Sequence, residues 1–202
     1  MFDSSELTDL DTRAVCEAVT ANQAALREQE WRELALAAQW ATLHGPESVP
    51  DADRRGRTPG AERLVRRGGE GTPMISDLAS AELGLVMGVG FIAANTLLRD
   101  ALDLQHRHPL LWAALGEGKA RVWKARQVAH LVHAAGLSRE QAWFVDAATT
   151  EYVDSLTWSA FTRLVEAKII EADPDAAEAG GPPQRWSGSW PPAPRTSTGS
   201  RP

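Results

Sequence analysis

The chain has 202 residues, 43% of them hydrophobic, and a formal net charge of −6, which suits one domain with a sizeable core and a tail. Alanine and leucine dominate the apolar residues, which predicts helices, and no apolar run approaches the roughly 20 residues of a membrane span. The acidic N-terminus lacks signal-peptide features and the single cysteine, Cys16, excludes an internal disulfide, so we expect a cytoplasmic protein with no membrane partner.

The first fifty residues predict one long, acidic helix. They carry nine acidic and three basic residues. Asp9 or Asp11 is in position to cap a helix that runs to about Leu43, where glycine and proline follow. Its length and its alanine-rich apolar stripe indicate either a bundle helix or pairing with a partner chain.

The next segment is rich in arginine. Residues 45–60 predict a flexible loop, followed by a short helix at Ala61–Arg67 and a glycine-rich turn at residues 68–73. The turn lacks the Gly-Lys-Ser/Thr ending of a phosphate-binding loop, so we reject a nucleotide site there. Residues 54–67 carry six arginines against one glutamate, Glu62, and these arginines would suit a phosphate backbone: Arg54, Arg55, Arg57, Arg63, Arg66 and Arg67. The alternative is that these charges pair with the acidic blocks inside the fold.

Residues 82–104 are the stretch around which we expect the chain to be organised. Apolar residues at three- and four-residue steps predict two helices joined by a tight turn at residues 88–90. Gly88 stands where the first helix needs a left-handed residue without a Cβ, and Ser76 is the expected cap at its start. The pattern is typical of a helix-turn-helix that reads DNA, but two short helices joined by glycine are more often plain packing in a helical bundle.

Further helices are predicted after this pair. Proline at position 109 suits the first turn of a short helix. The next helix, Lys119–Ala135, spreads four basic residues around its polar faces: Lys119, Arg121, Lys124 and Arg126. Ser138 and Gln141 form a capping-box pattern for the following helix, and Thr157 is the expected cap of the last one.

The composition changes at residue 180. The last 23 residues contain six prolines and four glycines but no acidic residue and no Leu, Ile, Val or Phe. We therefore predict an all-α domain over residues 1–179, a multi-helix bundle with a long N-terminal helix and an internal helix-turn-helix-like pair. Residues 180–202 are predicted to be a disordered Pro/Gly/Ser-rich tail, and one hypothesis is that they are a frameshifted terminus.

No pattern in the chain specifies catalysis. His130 and His133 are spaced to share a metal on one helix, but no second pair at ligand spacing follows, so we predict neither a metal site nor a cofactor. No general acid–base pair and no Gly-x-Ser-x-Gly elbow is present. Six tryptophans fall on predicted helices, where we interpret them as core or interface anchors rather than stacking platforms for nucleobases: Trp31, Trp40, Trp112, Trp123, Trp143 and Trp158.

Four runs in order carry a resemblance to a known family. They are GAERLVRRGGEGTPMISDLASAELGLVMGVGFIAANTLLRDALDL, HPLLWAALGEGKARVWKARQVAHL, LSREQAWFVDAA and LVEAKIIEADPDAAEA. Together they resemble the actinobacterial domain of unknown function 222, also called the 13E12 repeat family, over about residues 10–179. In that family the helical domain usually precedes an HNH nuclease module, so the resemblance implies a nucleic-acid context.

The chain departs from that family pattern at two places. The family's turn often carries Ser-Pro before the second helix, where this chain has Gly90-Phe91 and hence a weaker cap. No HNH motif follows residue 179, so the resemblance assigns no catalytic residue here.

Two functions remain open. The first is a non-catalytic, DNA-associated module, in which the arginine segment and the basic helix contact the backbone and Asn95 or Thr96 contacts bases. The charge of the second helix disfavours contact with DNA bases, because its one arginine, Arg99, stands beside two aspartates. The alternative is a module for protein interaction or self-association, with another copy or a separate nuclease chain as partner and no direct DNA contact. A complete enzyme is the least favoured reading.

Overall fold

The computed structural model describes residue 8 and residues 10–49 and 61–174. Within these residues the fold is all-α, as predicted, with one small hairpin. The elements in chain order are α1 (Thr12–Leu43), a 3₁₀ turn (Pro46–Ser48), β1 (Leu64–Arg66), β2 (Met74–Ser76), α2 (Ala79–Met87), α3 (Phe91–Arg107), α4 (Pro109–Gly116), α5 (Val122–Ala134), α6 (Arg139–Thr149), a 3₁₀ turn (Thr150–Tyr152) and α7 (Trp158–Ala172). Most of the predicted loop and the whole predicted tail lie outside the described residues.

The long helix α1 is confirmed, together with its cap. The Asp11 carboxylate accepts a hydrogen bond from the Ala14 N–H at 2.8 Å, which satisfies one of the free donors of the first turn. Only the C-terminal third of the helix is buried, mainly against α3, through Leu34, Ala37, Ala38 and Ala41. No residue between positions 12 and 33 is fully buried.

The helix predicted at Ala61–Arg67 is wrong, because this segment forms a strand. Leu64–Arg66 pairs antiparallel with Met74–Ser76, and Val65 lies opposite Ile75. Ile75 is fully buried, and the glycine-rich turn, with Gly71 at φ 85°, lets the chain reverse direction. Burying an apolar residue by tertiary contact has therefore overridden the local helix pattern.

The bent pair α2–α3 is confirmed, and α3 is the central helix of the fold. It packs against α1, α2, α4, α5 and α6 and buries an apolar stripe that includes Ala94, Leu98 and Ala101. Ser76 does not cap α2, which starts at Ala79. The Ser76 hydroxyl instead accepts a hydrogen bond from the Leu78 N–H at 3.1 Å, in the turn before the helix.

The remaining helices follow the prediction with shifts at their starts. Proline is the first residue of α4, and Ser138 and Gln141 form the predicted capping box of α6. Helix α5 starts at Val122 rather than Lys119, because the Lys119 N–H donates to Ala114 as part of the preceding turn. Thr157 occupies the N-cap position of α7, but its side chain makes no capping hydrogen bond.

Aromatic pairs join the helices, as the tryptophan positions predict. Trp31 on α1 meets Trp112 on α4 edge-to-face with ring centroids 4.6 Å apart, and Trp123 on α5 meets Trp158 on α7 at 4.8 Å. Trp143 is 40% exposed and lies under a guanidinium instead of entering the core.

No single helix in the described part of the chain is long and apolar enough to cross a membrane. Helices α2 and α3 meet the length and composition of a span only when taken together, across a bend of 111°.

A buried histidine joins α3 to α4. His108 is completely inaccessible to solvent, and neither of its ring nitrogens has a hydrogen-bond partner among the described residues. Burial, with a smaller contribution from the neighbouring Arg107 cation, lowers the pKa of His108 to about 3. The imidazole is therefore neutral in the folded protein at pH values where an unfolded chain would bind a proton.

This pKa predicts acid sensitivity that one substitution removes. The folded pKa lies below the ordinary 6.5, so the stability linked to His108 is present above about pH 6.5 and is lost as the pH falls towards 3. Between about pH 7 and about pH 5 this single group removes about 2 kcal/mol of unfolding free energy. Urea unfolding at several pH values should show a shallower pH dependence for His108→Leu.

His106→Leu is the matched control. His106 is only partly buried, and its pKa is lowered by burial and by the charge of Arg139 without reaching a large shift. We expect its replacement to change the pH dependence much less. Parallel pH profiles for wild type and His108→Leu would contradict the assignment.

Candidate functional site

A buried ionic network holds α3 against its neighbours. One carboxylate oxygen of Asp103 accepts from the Gly69 N–H at 2.7 Å and lies 3.3 Å from the Arg107 guanidinium. Its other oxygen lies 2.8 Å from His133 Nδ1 on α5. Arg107 also donates to the Leu137 carbonyl. One aspartate on α3 thus ties the hairpin turn to α5, and Arg107 reaches the turn before α6.

The surroundings of Asp103 favour its charged form. Burial raises its pKa, but the hydrogen bonds from His133 and from the Gly69 N–H, with the charges of His133 and Arg107, outweigh burial and hold the pKa below its ordinary value. A buried carboxylate with this many donors is a structural link between elements.

The two helix histidines contact different partners. His133 binds Asp103, whereas His130 Nδ1 lies 3.4 Å from an Arg99 nitrogen. Arg99 in turn pairs with Asp100 at 2.8 Å. The described residues contain no group of three or more His, Cys, Asp or Glu side chains that could hold a metal.

Lys124 was predicted to contact a DNA backbone, and its position contradicts that. The side chain is buried, with Nζ 2.6 Å from the Val153 carbonyl and 3.1 Å from the Asp154 carboxylate. An ammonium group that is desolvated and paired inside the fold cannot reach a phosphate on the surface. Lys124 therefore has a structural role on the basic helix.

Other predicted phosphate contacts are also engaged within the chain. Arg126 pairs with the buried Asp100 at 2.8 Å, and Arg121 donates to Gln23 on α1 at 3.2 Å. Lys119 is exposed but lies 2.6 Å from Glu117. These basic side chains are therefore bonded within the chain. This agrees with the alternative interpretation, in which the charge blocks pair inside the fold.

The arginines of the hairpin differ among themselves. Arg63 and Arg66 are exposed, and within the described part of the chain neither side chain makes an ion pair. Arg67 is half-buried, donates to the Asp77 carbonyl at 3.0 Å and lies over the Phe91 ring. The remaining three candidates, Arg54, Arg55 and Arg57, lie outside the described residues.

The predicted base-contacting residues lie on the half-buried side of α3. Asn95 Oδ1 accepts a hydrogen bond from the Ser80 hydroxyl at 3.1 Å, which links α3 to α2. Thr96 is also half-buried. The hydrogen bond from Ser80 therefore occupies the side-chain oxygen of Asn95 with a partner inside the helix pair.

The exposed end of the helix pair is an apolar tip built by glycines. Gly88, at φ 67°, ends α2, and its N–H donates to Leu85, while the Val89 N–H donates to the Gly84 carbonyl. A Cβ on Gly84 would stand 3.0 Å from the Val89 carbonyl oxygen, so a larger residue would require the turn to move away by a few tenths of an ångström. Gly90 then caps α3 without a side-chain hydrogen bond.

Five large apolar side chains cover this tip and face solvent. We call them the tip patch: Leu85, Val86, Val89, Phe91 and Ile92. Leu85, Val86 and Ile92 are the most exposed, at 83%, 74% and 80%. Clustered exposure of this kind is unusual on a soluble monomer, whereas single exposed apolar residues are normal.

A second apolar surface runs along the free half of α1. Val15, Val19 and Leu26 follow one another at four- and seven-residue steps and so share a face of the helix. Their exposed fractions are 42%, 55% and 48%. We call these three residues the α1 stripe.

The sequence predicted the helix pair, and base contact by the polar Asn95 and Thr96 stays a prediction. The most exposed large side chains of the pair, Leu85, Val86 and Ile92, are apolar. A signal was present, because the 16 residues from position 83 to position 98 include no charged residue. What the sequence did not show is which of these residues the turn leaves outside the core.

Comparison of the chain with known protein families, with characterised proteins and with solved structures finds no match. The resemblance described above therefore rests on the sequence motifs themselves.

The two glycines of the turn predict opposite responses to serine. Gly88→Ser places a Cβ at φ 67° and should lower the unfolding free energy by about 1 kcal/mol. Gly90→Ser is the matched control, because Gly90 has an extended conformation at φ −70° and serine is a preferred N-cap.

Neither site has a described neighbouring atom within 4 Å of a built Cβ, so backbone conformation alone separates the two variants. We expect Gly90→Ser to be neutral or stabilising by a few tenths of a kcal/mol. Thermal and urea unfolding measure both. Equal destabilisation by the two variants would contradict the turn geometry.

Proposed function

We propose that this helical domain is a non-catalytic protein-interaction module whose docking surface is the tip patch. The observation that carries the proposal is the exposure of five large apolar side chains within the eight residues 85–92 around the α2–α3 turn. Soluble monomers rarely expose apolar residues in such a cluster, and a cluster of this kind marks a binding surface.

The chemistry of the patch favours a protein partner over a nucleic acid. No charged residue occurs between Glu82 and Arg99, so the patch offers no cation for a phosphate. Protein interfaces, by contrast, are depleted of charge at their centre and enriched in aromatic and large apolar residues. The chain's net charge of −6 further opposes a polyanionic partner at an uncharged surface.

The patch is held on a rigid base. Leu83, Ala94, Leu97 and Leu98 lie on the inner side of the same bent pair and are buried in the core. The Ser80–Asn95 hydrogen bond joins the two helices behind the turn. A preformed surface loses little conformational entropy when a partner binds, which favours affinity from a small area.

The single cysteine fits action in the cytoplasm. The resemblance to a helical domain that accompanies HNH nucleases adds a separate nuclease chain to the partners that such a module would serve. The tip patch, and not the ionic network of α3, is the surface that we assign to binding.

Photo-crosslinking in cells tests the proposal. A photoreactive amino acid at Ile92, which is 80% exposed, should give discrete protein adducts that mass spectrometry identifies. Leu85→Lys in the same chain should reduce those adducts at least about tenfold, because it puts a charge into an apolar contact.

The control places the same photoreactive group at Glu70, an exposed residue on the hairpin turn. We expect adducts there to be weak and unaffected by Leu85→Lys. Adducts at Ile92 that are absent, or that form mainly with nucleic acid or lipid, would reject a protein-docking role for the patch.

A second candidate function is DNA association through the hairpin. Arg63 and Arg66 favour it, because both are exposed beside the arginine-rich segment that precedes β1 and neither is paired within the described residues. Two such guanidiniums provide backbone contacts that position a protein on DNA without reading its sequence.

Fluorescence anisotropy with duplex DNA in a salt titration tests this candidate. Removing two phosphate contacts with Arg63→Ala and Arg66→Ala should lower the slope of log K against log salt by about 2. Arg13→Ala with Arg32→Ala is the control, because these exposed arginines are each paired with a glutamate on α1. An absence of binding at low salt would remove the DNA candidate.

A further inference from the structure

We infer that the partner of the tip patch is a second copy of this chain, bound tip against tip about a two-fold axis. The inference rests on the proposed function and names its partner. A two-fold contact is isologous, so the same surface serves both copies, and it is the commonest way in which soluble chains assemble.

The absence of charge makes the tip patch compatible with itself. A two-fold contact brings each residue near its own copy, so any charge at the centre would face a like charge. The 16 uncharged residues from position 83 to position 98 avoid this repulsion. Arg67, at the side of the patch, has its guanidinium 5.6 Å from the Phe91 ring centroid and is held there by the Asp77 carbonyl.

The size of the patch suits a weak, specific dimer. Five large side chains with these exposed fractions offer an apolar area on the order of 500 Å², similar to the largest patch of a typical monomer. Two copies would bury roughly 1,000 Å², which is at the lower limit for a specific interface. We therefore expect a dissociation constant of about 1–100 μM.

The α1 stripe is less suited to self-pairing. Asp11 stands four residues before Val15, and Glu30 stands four residues after Leu26, so a carboxylate ends the stripe on each side. An antiparallel pair centred on the stripe would place Asp11 of one copy opposite Glu30 of the other. Like charges at both ends oppose that contact, whereas Glu82, the carboxylate three residues before Leu85 at the tip, lies 3.1 Å from His44 Nε2.

Sedimentation velocity over a concentration series tests the inference with charge-matched variants. Leu85→Lys with Ile92→Lys adds two like charges to the patch and should weaken dimerisation at least about 100-fold. Val19→Lys with Leu26→Lys adds the same charge to the α1 stripe and should leave the dissociation constant within about twofold. All four positions are exposed, and a thermal unfolding measurement on each variant checks whether it is folded.

A charge-swap experiment makes the contact specific. The tip variant with two lysines and its counterpart, Leu85→Glu with Ile92→Glu, should each be monomeric alone and should form a one-to-one heterodimer when mixed. Raising the salt concentration should strengthen the wild-type dimer, because salt screens the repulsion between two copies that each carry a net charge of −6.

Other outcomes overturn the inference. A wild-type chain that stays monomeric at millimolar concentration rejects it, as does a dimer that only the α1 variant disrupts. If the tip variant with two lysines and the α1 variant with two lysines are each monomeric alone but associate when mixed with each other, the contact runs from tip to stripe and the two-fold arrangement is wrong. A monomeric wild type with protein adducts at position 92 in cells leaves the interaction module standing with a different partner.

Discussion

The packing of α3 is the constraint on which the rest of the structure depends. Its buried side combines an apolar stripe with three ionisable residues, Asp100, Asp103 and Arg107. Buried charges are tolerated only when they are paired and hydrogen-bonded, so each of these fixes a neighbour in place. Asp103 holds the hairpin turn and α5, Arg107 holds the segment before α6, and Asp100 holds α5 through Arg126. The helix order around α3 is thus specified by polar contacts as well as by apolar burial.

This arrangement explains why the tip patch is outside the core. From Ala94 onwards α3 is surrounded by other helices, and its polar residues are used in holding them. The turn before it extends past those contacts, with Gly84, Gly88 and Gly90 allowing the reversal. Leu85, Val86 and Ile92 leave most of their apolar area exposed in the monomer, and burial of that area against a partner would release free energy in proportion to the area removed from water.

Interactions between residues close in the sequence made much of the fold predictable. The parts that could not be predicted depend on tertiary contacts. Asp11, Gly88 and the Ser138–Gln141 box each act within one turn of the backbone, and all three predictions hold. The strand at Leu64–Arg66 depends instead on pairing with a second segment, Met74–Ser76, across the glycine-rich turn. The ionic network of α3 was not found either, because Gly69 and Asp103 are 34 residues apart and no spacing rule joins them.

The distinction between local and tertiary contacts also determines how the blocks of charge in this chain are interpreted. Four basic residues around α5 look like a phosphate-binding face in the sequence, yet Lys124 and Arg126 meet carboxylates of other elements at 3.1 Å and 2.8 Å. A block of charges of one sign therefore indicates possible ion pairs inside the fold as much as attraction for a charged ligand. An uncharged run differs, because apolar side chains are stabilised only by burial away from water. When the fold leaves such a run exposed, as at the α2–α3 turn, a partner surface is the remaining place for that burial.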